Sequence, residues 1–191
     1  MPTPSPYQPS STFVSRAGLK LDHALTTFGL DVTGLVVADF GCNTGGFVDC
    51  VLRRGAAKVY AIDTGYGVLD YKLRKDPRVV VMERTNAMHV TLPKCVGLVT
   101  IDVAWTKQRN ILPSAARVLS PGGQVVTLIK PHYEADPTWL KRGILPVDKV
   151  DSVVEQTHAV IRAAGFEVVA TVTSPIKGAK GNTEVLSWLR R

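Results

Sequence analysis

The sequence predicts an α/β protein: a mostly parallel seven-stranded sheet covered by helices on both faces, with a last antiparallel strand. Three observations predict it. Short apolar runs rich in β-branched residues alternate with helix-length segments, and repeated strand, helix, strand order makes neighbouring strands parallel. A glycine-rich turn follows the first run and opens into a helical segment, the arrangement of a doubly wound sheet. The last two runs are separated by only about nine residues, Ser174–Asn182, too few for a helical crossover, so the final strand turns back.

The elements follow in order. Nine of the first twelve residues are proline, serine or threonine, a composition that cannot bury enough surface to fold alone, so residues 1–13 are expected to form a flexible tail ahead of one domain over 14–191. Ser15, in capping position, precedes Ala17, Leu21, Ala24, Leu25 and Phe28, spacings that mark one amphipathic helix ending near Gly29. Strands are expected at Val36–Phe40, Val59–Asp63, Val79–Met82, Leu98–Val103, Gln124–Ile129, Glu167–Thr173 and Val185–Leu189. Between them lie helix-type stretches at Gly45–Arg54, Val68–Arg74, Arg109–Leu119 and Val147–Ala164, most bounded by glycine or proline.

Composition narrows the function classes. A chain of 191 residues with 45% apolar and 20% charged residues suits a single folded domain. Lys and Arg number 23 against 16 Asp and Glu, a surplus of +7 that favours a polyanionic partner, nucleic acid ahead of membrane. No apolar run reaches the length of a membrane span and the N-terminus lacks a signal-peptide pattern, so a cytoplasmic location is expected and a pore-forming role finds no support. Cys42, Cys50 and Cys95 match no zinc spacing and read as reduced, buried small side chains; no metal is expected. The four histidines have no ligand spacing either, although His132 borders a candidate site discussed below.

The turn Asp39-Phe40-Gly41-Cys42-Asn43-Thr44-Gly45-Gly46-Phe47 lies at the carboxyl end of the first strand, where doubly wound sheets bind ligands. Its spacing is neither GxGxxG nor a Walker loop. Asp63, ending the second strand, can accept both hydroxyls of a ribose. Loop and acid together make half a site for an adenosine-containing cofactor, either a nicotinamide dinucleotide or S-adenosylmethionine, while a plain turn with a capping aspartate is the simpler alternative. Asp39 repels a pyrophosphate and suits the cationic sulfonium and ammonium of S-adenosylmethionine.

Asp102 closes the fourth strand and Lys130 the fifth, so topology brings both to the edge that holds the glycine turn. Lys20 and Glu184 join them only by fold-level inference. A free lysine, with pKa about 10.4, is a poor base at neutral pH, but desolvation and a second cation move it toward working range. Such a site can take the proton from a ribose 2′-hydroxyl as that oxygen attacks a methyl group. Four ordinary solvated charges are the alternative.

These residues resemble the TlyA-type (hemolysin A-type) branch of the FtsJ-like RNA 2′-O-ribose methyltransferases, across most of Val14 to Leu186. The matching blocks are Val14 to Leu21, Gly45-Gly46-Phe47 with Asp49-Cys50, Arg54 to Ala61 continuing to Asp63 and Gly65-Tyr66-Gly67, Glu83 to Ala87, Lys130-Pro131, and Ser174-Pro175-Ile176 with Gly181-Asn182 before Glu184. The resemblance implies a Rossmann-like methyltransferase fold, S-adenosylmethionine as donor, and a Lys-Asp-Lys-Glu tetrad filled by Lys20, Asp102, Lys130 and Glu184, with Lys130 as base. It places Gly45, Phe47 and Asp63 at the cofactor and Asn86 on the loop beside the adenine, and Gly41, Asn43, Thr44 and Gly46 of the glycine turn are the further cofactor-binding candidates. Phe47 read alone is equally a core aromatic, and Asn86 a turn residue.

The chain departs from that family in two places. Relatives of the TlyA type carry a small RNA-binding module ahead of the Val-Ser-Arg-Ala-Gly block, whereas thirteen residues precede Val14 here, too few to form one. After Asp102 the family's Ser-Phe-Ile-Ser-type segment is replaced by Val103-Ala104-Trp105-Thr106-Lys107-Gln108, in which Trp105 either stacks on a base or belongs to the core.

Lys107, Arg109, Lys141, Lys177 and Lys180 fall in or beside loops along the expected path of an RNA backbone, as phosphate contacts or as a solvated face. Arg53-Arg54 is expected to cap its helix. The function expected is 2′-O-ribose methylation of structured RNA, ribosomal RNA or ribosomal subunits first. The rivals are a non-catalytic RNA-binding or ribosome-assembly factor on the same fold and a nicotinamide-dependent oxidoreductase.

Overall fold

The computed structural model describes residues 13–191. Of the expected tail, residues 1–12 lie outside the described residues; Phe13 packs against the core beneath the Arg53 guanidinium, 5.0 Å from its ring centre.

Seven strands form one sheet: β1 (Val36–Phe40), β2 (Lys58–Ile62), β3 (Val79–Met82), β4 (Val96–Ile101), β5 (Leu119–Ile129), β6 (Glu167–Thr173) and β7 (Val185–Arg190). Their order is β3-β2-β1-β4-β5-β7-β6, with the first five parallel and β7 antiparallel to both neighbours. The expected seven strands are all present, three with the boundaries read from sequence, and the antiparallel β7 inserts between β5 and β6. The chain leaves β1 toward β3 and returns through β4 on the other side of β1. The carboxyl ends of β1 and β4 therefore border the crevice where such sheets bind ligands.

Side chains of alternate strand residues feed two cores, one on each face. Val37, Val59, Leu98, Val126 and Leu186 face α1 (Ala17–Phe28) and α2 (Gly46–Arg53). Ala38, Phe40, Ile62, Val99, Ile101 and Leu189 face the other layer, which includes α4 (Gln108–Val118) and α6 (Val147–Ala163). Strands buried on both faces account for the near-continuous apolar runs in the sequence. Two short helices, α3 (Tyr71–Lys75) and α5 (Pro131–Glu134), follow β2 and β5.

Helix α1 starts differently from expectation. Arg16 is its N-cap, with no side-chain capping bond, while the Ser15 carbonyl accepts the Gly18 N–H at 3.1 Å. The Ser15 hydroxyl instead lies where a Cβ on Gly46 would be, so the N-termini of α1 and α2 press together through Gly46 and Ala17. Gly29 ends α1 at φ 62°, as predicted. Arg53 lies in the last turn of α2 and Arg54 is its C-cap residue, as expected, while their side chains pair with acids, Arg53 with Asp49 one turn earlier (2.6 Å) and Arg54 with Asp22 of α1 (2.6 Å). Asp49 also accepts the Val14 N–H at 2.9 Å. These ties hold α1, and with it Lys20, against α2 and the sheet.

Among the described residues no helix is long and apolar enough to cross a membrane, and no group of His, Cys, Asp and Glu could hold a metal. Cys42 and Cys50 are buried free thiols as expected; Cys95 is exposed, because it lies in the turn just before β4 and not in the strand.

Candidate active site

A cavity of about 540 Å³ opens at the carboxyl ends of β1, β2, β4 and β5, within the usual size for a small-molecule site. Lys20, Asp102, Lys130 and Glu184 all line it. They form two ion pairs. Lys130 Nζ lies 2.6 Å from Asp102 Oδ1 and donates to the Val103 carbonyl at 3.0 Å. Lys20 Nζ lies 2.5 Å from Glu184 Oε2, with both side chains nearly sealed from solvent. Asp102 and Lys130 sit one residue beyond their strand ends, as strand order predicts. Lys20 reaches them from α1, and Glu184 from the residue before β7.

The glycine turn supplies the opposite kind of surface, bare backbone. Gly41 has φ 85°, and a Cβ there would lie 2.5 Å from the Asp102 carbonyl oxygen, so only glycine lets the ends of β1 and β4 meet. Of the residues assigned to the cofactor, Gly41, Asn43, Gly46, Phe47, Asp63 and Asn86 line the cavity; Thr44 and Gly45 do not. Gly45 turns away because its Cα faces Leu69 and Leu73, and the Thr44 carbonyl accepts the Asp70 N–H at 3.0 Å. That neighbouring loop is fixed by Glu83, which accepts the Gly67 and Val68 N–H groups at 2.9 and 3.0 Å and pairs with Arg74. Phe47 is both things at once, 2% exposed in the core and at the cavity wall. Asn86 caps a short turn by accepting the Met88 N–H, also at the wall.

Asp63 Oδ2 accepts the Asn43 N–H at 2.9 Å and Oδ1 the Gly65 N–H at 2.7 Å. Each oxygen keeps a second lone pair, and the carboxylate lies at the cavity, so two adjacent hydroxyls can donate to it. Beneath the turn, Asp39 is 1% exposed; Oδ1 accepts the Thr100 hydroxyl at 2.6 Å and Oδ2 is buried with no partner. Burial, with Asp102 and Asp63 adding like charge, pushes its pKa up to about 7. An acid held this way is protonated well below pH 7 and costs stability once ionised. The stability it contributes is complete below pH ~4 and is lost as pH rises toward 7, a difference on the order of 4 kcal/mol for a shift of this size. Asp39→Asn is therefore expected to be more stable relative to wild type at pH 8 than at pH 5. Parallel thermal melts at the two pH values test this, and an offset that does not change with pH would remove Asp39 as the source.

His132 lines the cavity next to Lys130 and stacks against Tyr133, ring centres 4.1 Å apart. Burial and the Lys130 charge hold its pKa below the ordinary value, so it is neutral near pH 7. Trp105 is 79% exposed, has φ 56° and lies 6.4 Å from Tyr133, centre to centre. The core reading of Trp105 is thus overturned: the turn after β4 projects it outward. Sequence reasoning does not single out Thr85 and Met88 at the wall, whereas Tyr133, three residues after Lys130, falls in the same segment as His132, which is expected to border the site.

The predicted phosphate contacts are spread. Lys107 is half-buried, donating to the Glu134 carbonyl at 3.2 Å, while Arg109 is exposed on α4. Lys141, Lys177 and Lys180 are exposed on two loops, with Lys177 donating to the Thr183 hydroxyl at 2.8 Å.

Comparison with known proteins adds a family. The sequence pattern of the FtsJ-like methyltransferases matches residues 13–191. The protein YqxC of Bacillus subtilis, provisionally described as an rRNA methyltransferase, is 41% identical over 186 residues, covering 93% of this chain and 65% of its own. The 16S/23S rRNA (cytidine-2′-O)-methyltransferase TlyA of Mycobacterium tuberculosis is 39% identical over 188 residues, 93% of this chain and 68% of its own. The chain thus spans about two thirds of the length of these curated relatives. A solved structure from Streptococcus thermophilus, provisionally described as a hemolysin, superposes with a TM-score of 0.91 at 38% identity, covering 98% of this chain and 69% of its own. An S-adenosylmethionine-dependent methyltransferase from Mesorhizobium loti, 19% identical, shares the Rossmann-like fold over 88% of this chain and 96% of its own with a TM-score of 0.65.

Proposed function

The chain belongs to the FtsJ-like methyltransferase family, and from that premise we propose that it transfers the methyl group of S-adenosylmethionine to a ribose 2′-hydroxyl of RNA, ribosomal RNA in the first place. The observation that carries this reading is the pairing of Lys130 with Asp102 and of Lys20 with Glu184 in the cavity that also holds the glycine turn. Residues 14–191 act as one methyltransferase domain, and the reading puts the protein in the cytoplasm, where ribosomal RNA is found.

The residues present fit the cofactor. Gly41 leaves bare backbone, Asp63 offers two acceptor oxygens to a ribose, and the unpartnered Oδ2 of Asp39 beneath the turn favours a cation above it. Asn43, Phe47 and Asn86 would hold the remainder, with Thr44, Gly45 and Gly46 shaping the turn. When bound, S-adenosylmethionine supplies an electrophilic methyl whose transfer neutralises the sulfonium, so the protein has no charge to create, only a nucleophile to free and water to exclude.

Lys130 frees the nucleophile. Once the ammonium of the ion pair has released a proton to solvent, the amine has two N–H bonds and one lone pair; with the hydrogens given to Asp102 and the Val103 carbonyl, the lone pair is left for the 2′-hydroxyl proton. The amine becomes an ammonium against Asp102, which is already placed to stabilise it. Lys20 and Glu184 present a second, drier pair on the same wall that orients the ribose. Trp105, exposed beside Tyr133, offers a face on which a base of the RNA can stack.

The test is methyl transfer from labelled S-adenosylmethionine into unmodified ribosomal RNA and ribosomal subunits, followed by digestion to nucleosides. Label in a 2′-O-methyl nucleoside is the expected result. Label in a base or in protein would overturn the ribose as acceptor, and no label while the cofactor binds would overturn the reading and leave the RNA-binding or assembly role.

A further inference from the structure

Two loops that are distant in sequence are stapled together beside Glu184. The loop between α5 and α6 contains the turn Lys141-Arg142-Gly143-Ile144. Lys141 and Ile144 exchange both backbone hydrogen bonds, at 2.9 and 3.0 Å, and Arg142 and Gly143 have φ of 55° and 81°. Two successive positive φ values are the mark of a type I′ turn, and Lys141 and Arg142 are both exposed on it. The loop between β6 and β7 also has two successive positive φ values, Lys180 and Gly181 at 56° and 82°, and is closed by the Gly178 N–H donating to the Asn182 carbonyl at 2.9 Å.

Asn182 joins them. It is 3% exposed; its Oδ1 accepts the Leu145 N–H at 3.0 Å and its Nδ2 donates to the Gly143 carbonyl at 3.0 Å. The staple brings Lys180 across the other loop, so that a Cβ on Gly143 would lie 2.9 Å from the Lys180 ammonium. Lys141, Arg142 and Lys180 thereby share one exposed patch, with Lys177 on the same loop as Lys180. Among the described residues no carboxylate pairs with any of the four.

We infer that this stapled pair of loops is a docking platform for the phosphodiester backbone of RNA, and that Asn182 is a positioning residue for it. Scattered surface cations need no buried amide to hold them. Here a buried side chain spends both its donor and its acceptor on bringing like charges together, an arrangement that repels itself until a polyanion lies across it. The platform is also continuous with the cavity. Gly178, in the middle of the β6–β7 loop, lines the cavity and abuts Glu184 so closely that a Cβ there would overlap the carboxylate. A strand held by Lys141, Arg142 and Lys180 is thus anchored next to the tetrad. The inference rests on RNA being the substrate.

The experiment is binding of an unmodified ribosomal RNA transcript to the whole chain over a range of salt concentrations, with S-adenosylmethionine affinity measured alongside. Each lost phosphate contact lowers the slope of log affinity against log salt by about 0.7–0.9. The triple variant Lys141→Ala/Arg142→Ala/Lys180→Ala should lose about two units of slope and about tenfold or more in affinity near physiological salt, with cofactor affinity kept. Gly143→Ala retains every charge but displaces the Lys180 ammonium, and should lose about one unit. Asn182→Ala should reproduce the triple variant in part without removing any charge. If the wild type binds RNA and the triple variant matches its affinity and slope, the platform is overturned and the methyl-transfer reading stands. If the wild type binds no RNA, both fall. Should Gly143→Ala or Asn182→Ala fail to fold, the triple variant, confined to exposed side chains, still decides.

Discussion

Lys130→Ala is expected to slow methyl transfer by about 10²–10⁴-fold, the range over which a positioned general base contributes, with S-adenosylmethionine still bound. The expectation follows from the hydrogens of the amine. Asp102 and the Val103 carbonyl take two of them at 2.6 and 3.0 Å, which orients what is left toward the cavity that Lys130 lines. Lys130→Arg should be as inactive as the alanine variant, because a guanidinium keeps its charge and has no lone pair to accept a proton. Asp102→Asn should keep a lysine in place but remove the anion that fixes it and steadies the ammonium formed. Single-turnover transfer at saturating RNA and cofactor distinguishes these outcomes from weakened binding. A Lys130→Arg enzyme with near wild-type rate would remove proton acceptance by Lys130 from the mechanism and leave it an electrostatic part.

Much of this site was legible because strand order carries it. Once Leu98–Val103 and Gln124–Ile129 read as neighbouring parallel strands, Asp102 and Lys130 had to emerge side by side, and the structure puts them in contact. Glycine positions were equally readable in kind, since Gly41 meets backbone from β4. Lys20 and Glu184 were different. They are 164 residues apart, and their meeting depends on how α1 lies across α2, which is set by contacts at Gly46 that no periodicity reveals. Only resemblance to a family supplied that pair. The same limit explains the errors: Ser15 has the chemistry of a cap but packs at Gly46 instead, and Trp105 has the composition of a core residue but itself sits in a turn at φ 56° and is exposed. Asp39 was read as an electrostatic partner for a cation. Its partner Thr100 and its buried, unsatisfied oxygen required the register between β1 and β4.

Glu184→Ala should destabilise the fold by about 3–5 kcal/mol as well as impair transfer, because it strands the Lys20 ammonium in a place almost closed to water. Removing one partner of a buried pair costs far more than removing both. The double variant Lys20→Met/Glu184→Leu, which fills the same space with apolar side chains, should therefore recover most of that stability. It should recover none of the activity, since the wall would then present no charge to the ribose. Stability and catalysis come apart in this comparison, and that separation gives the pair its meaning. If denaturant melts show the double variant restored and transfer remains lost, the pair serves the reaction and is tolerated by the fold. If transfer returns with stability, Lys20 and Glu184 are a structural clamp that holds α1 to the start of β7, and the chemistry rests on Lys130 and Asp102 alone.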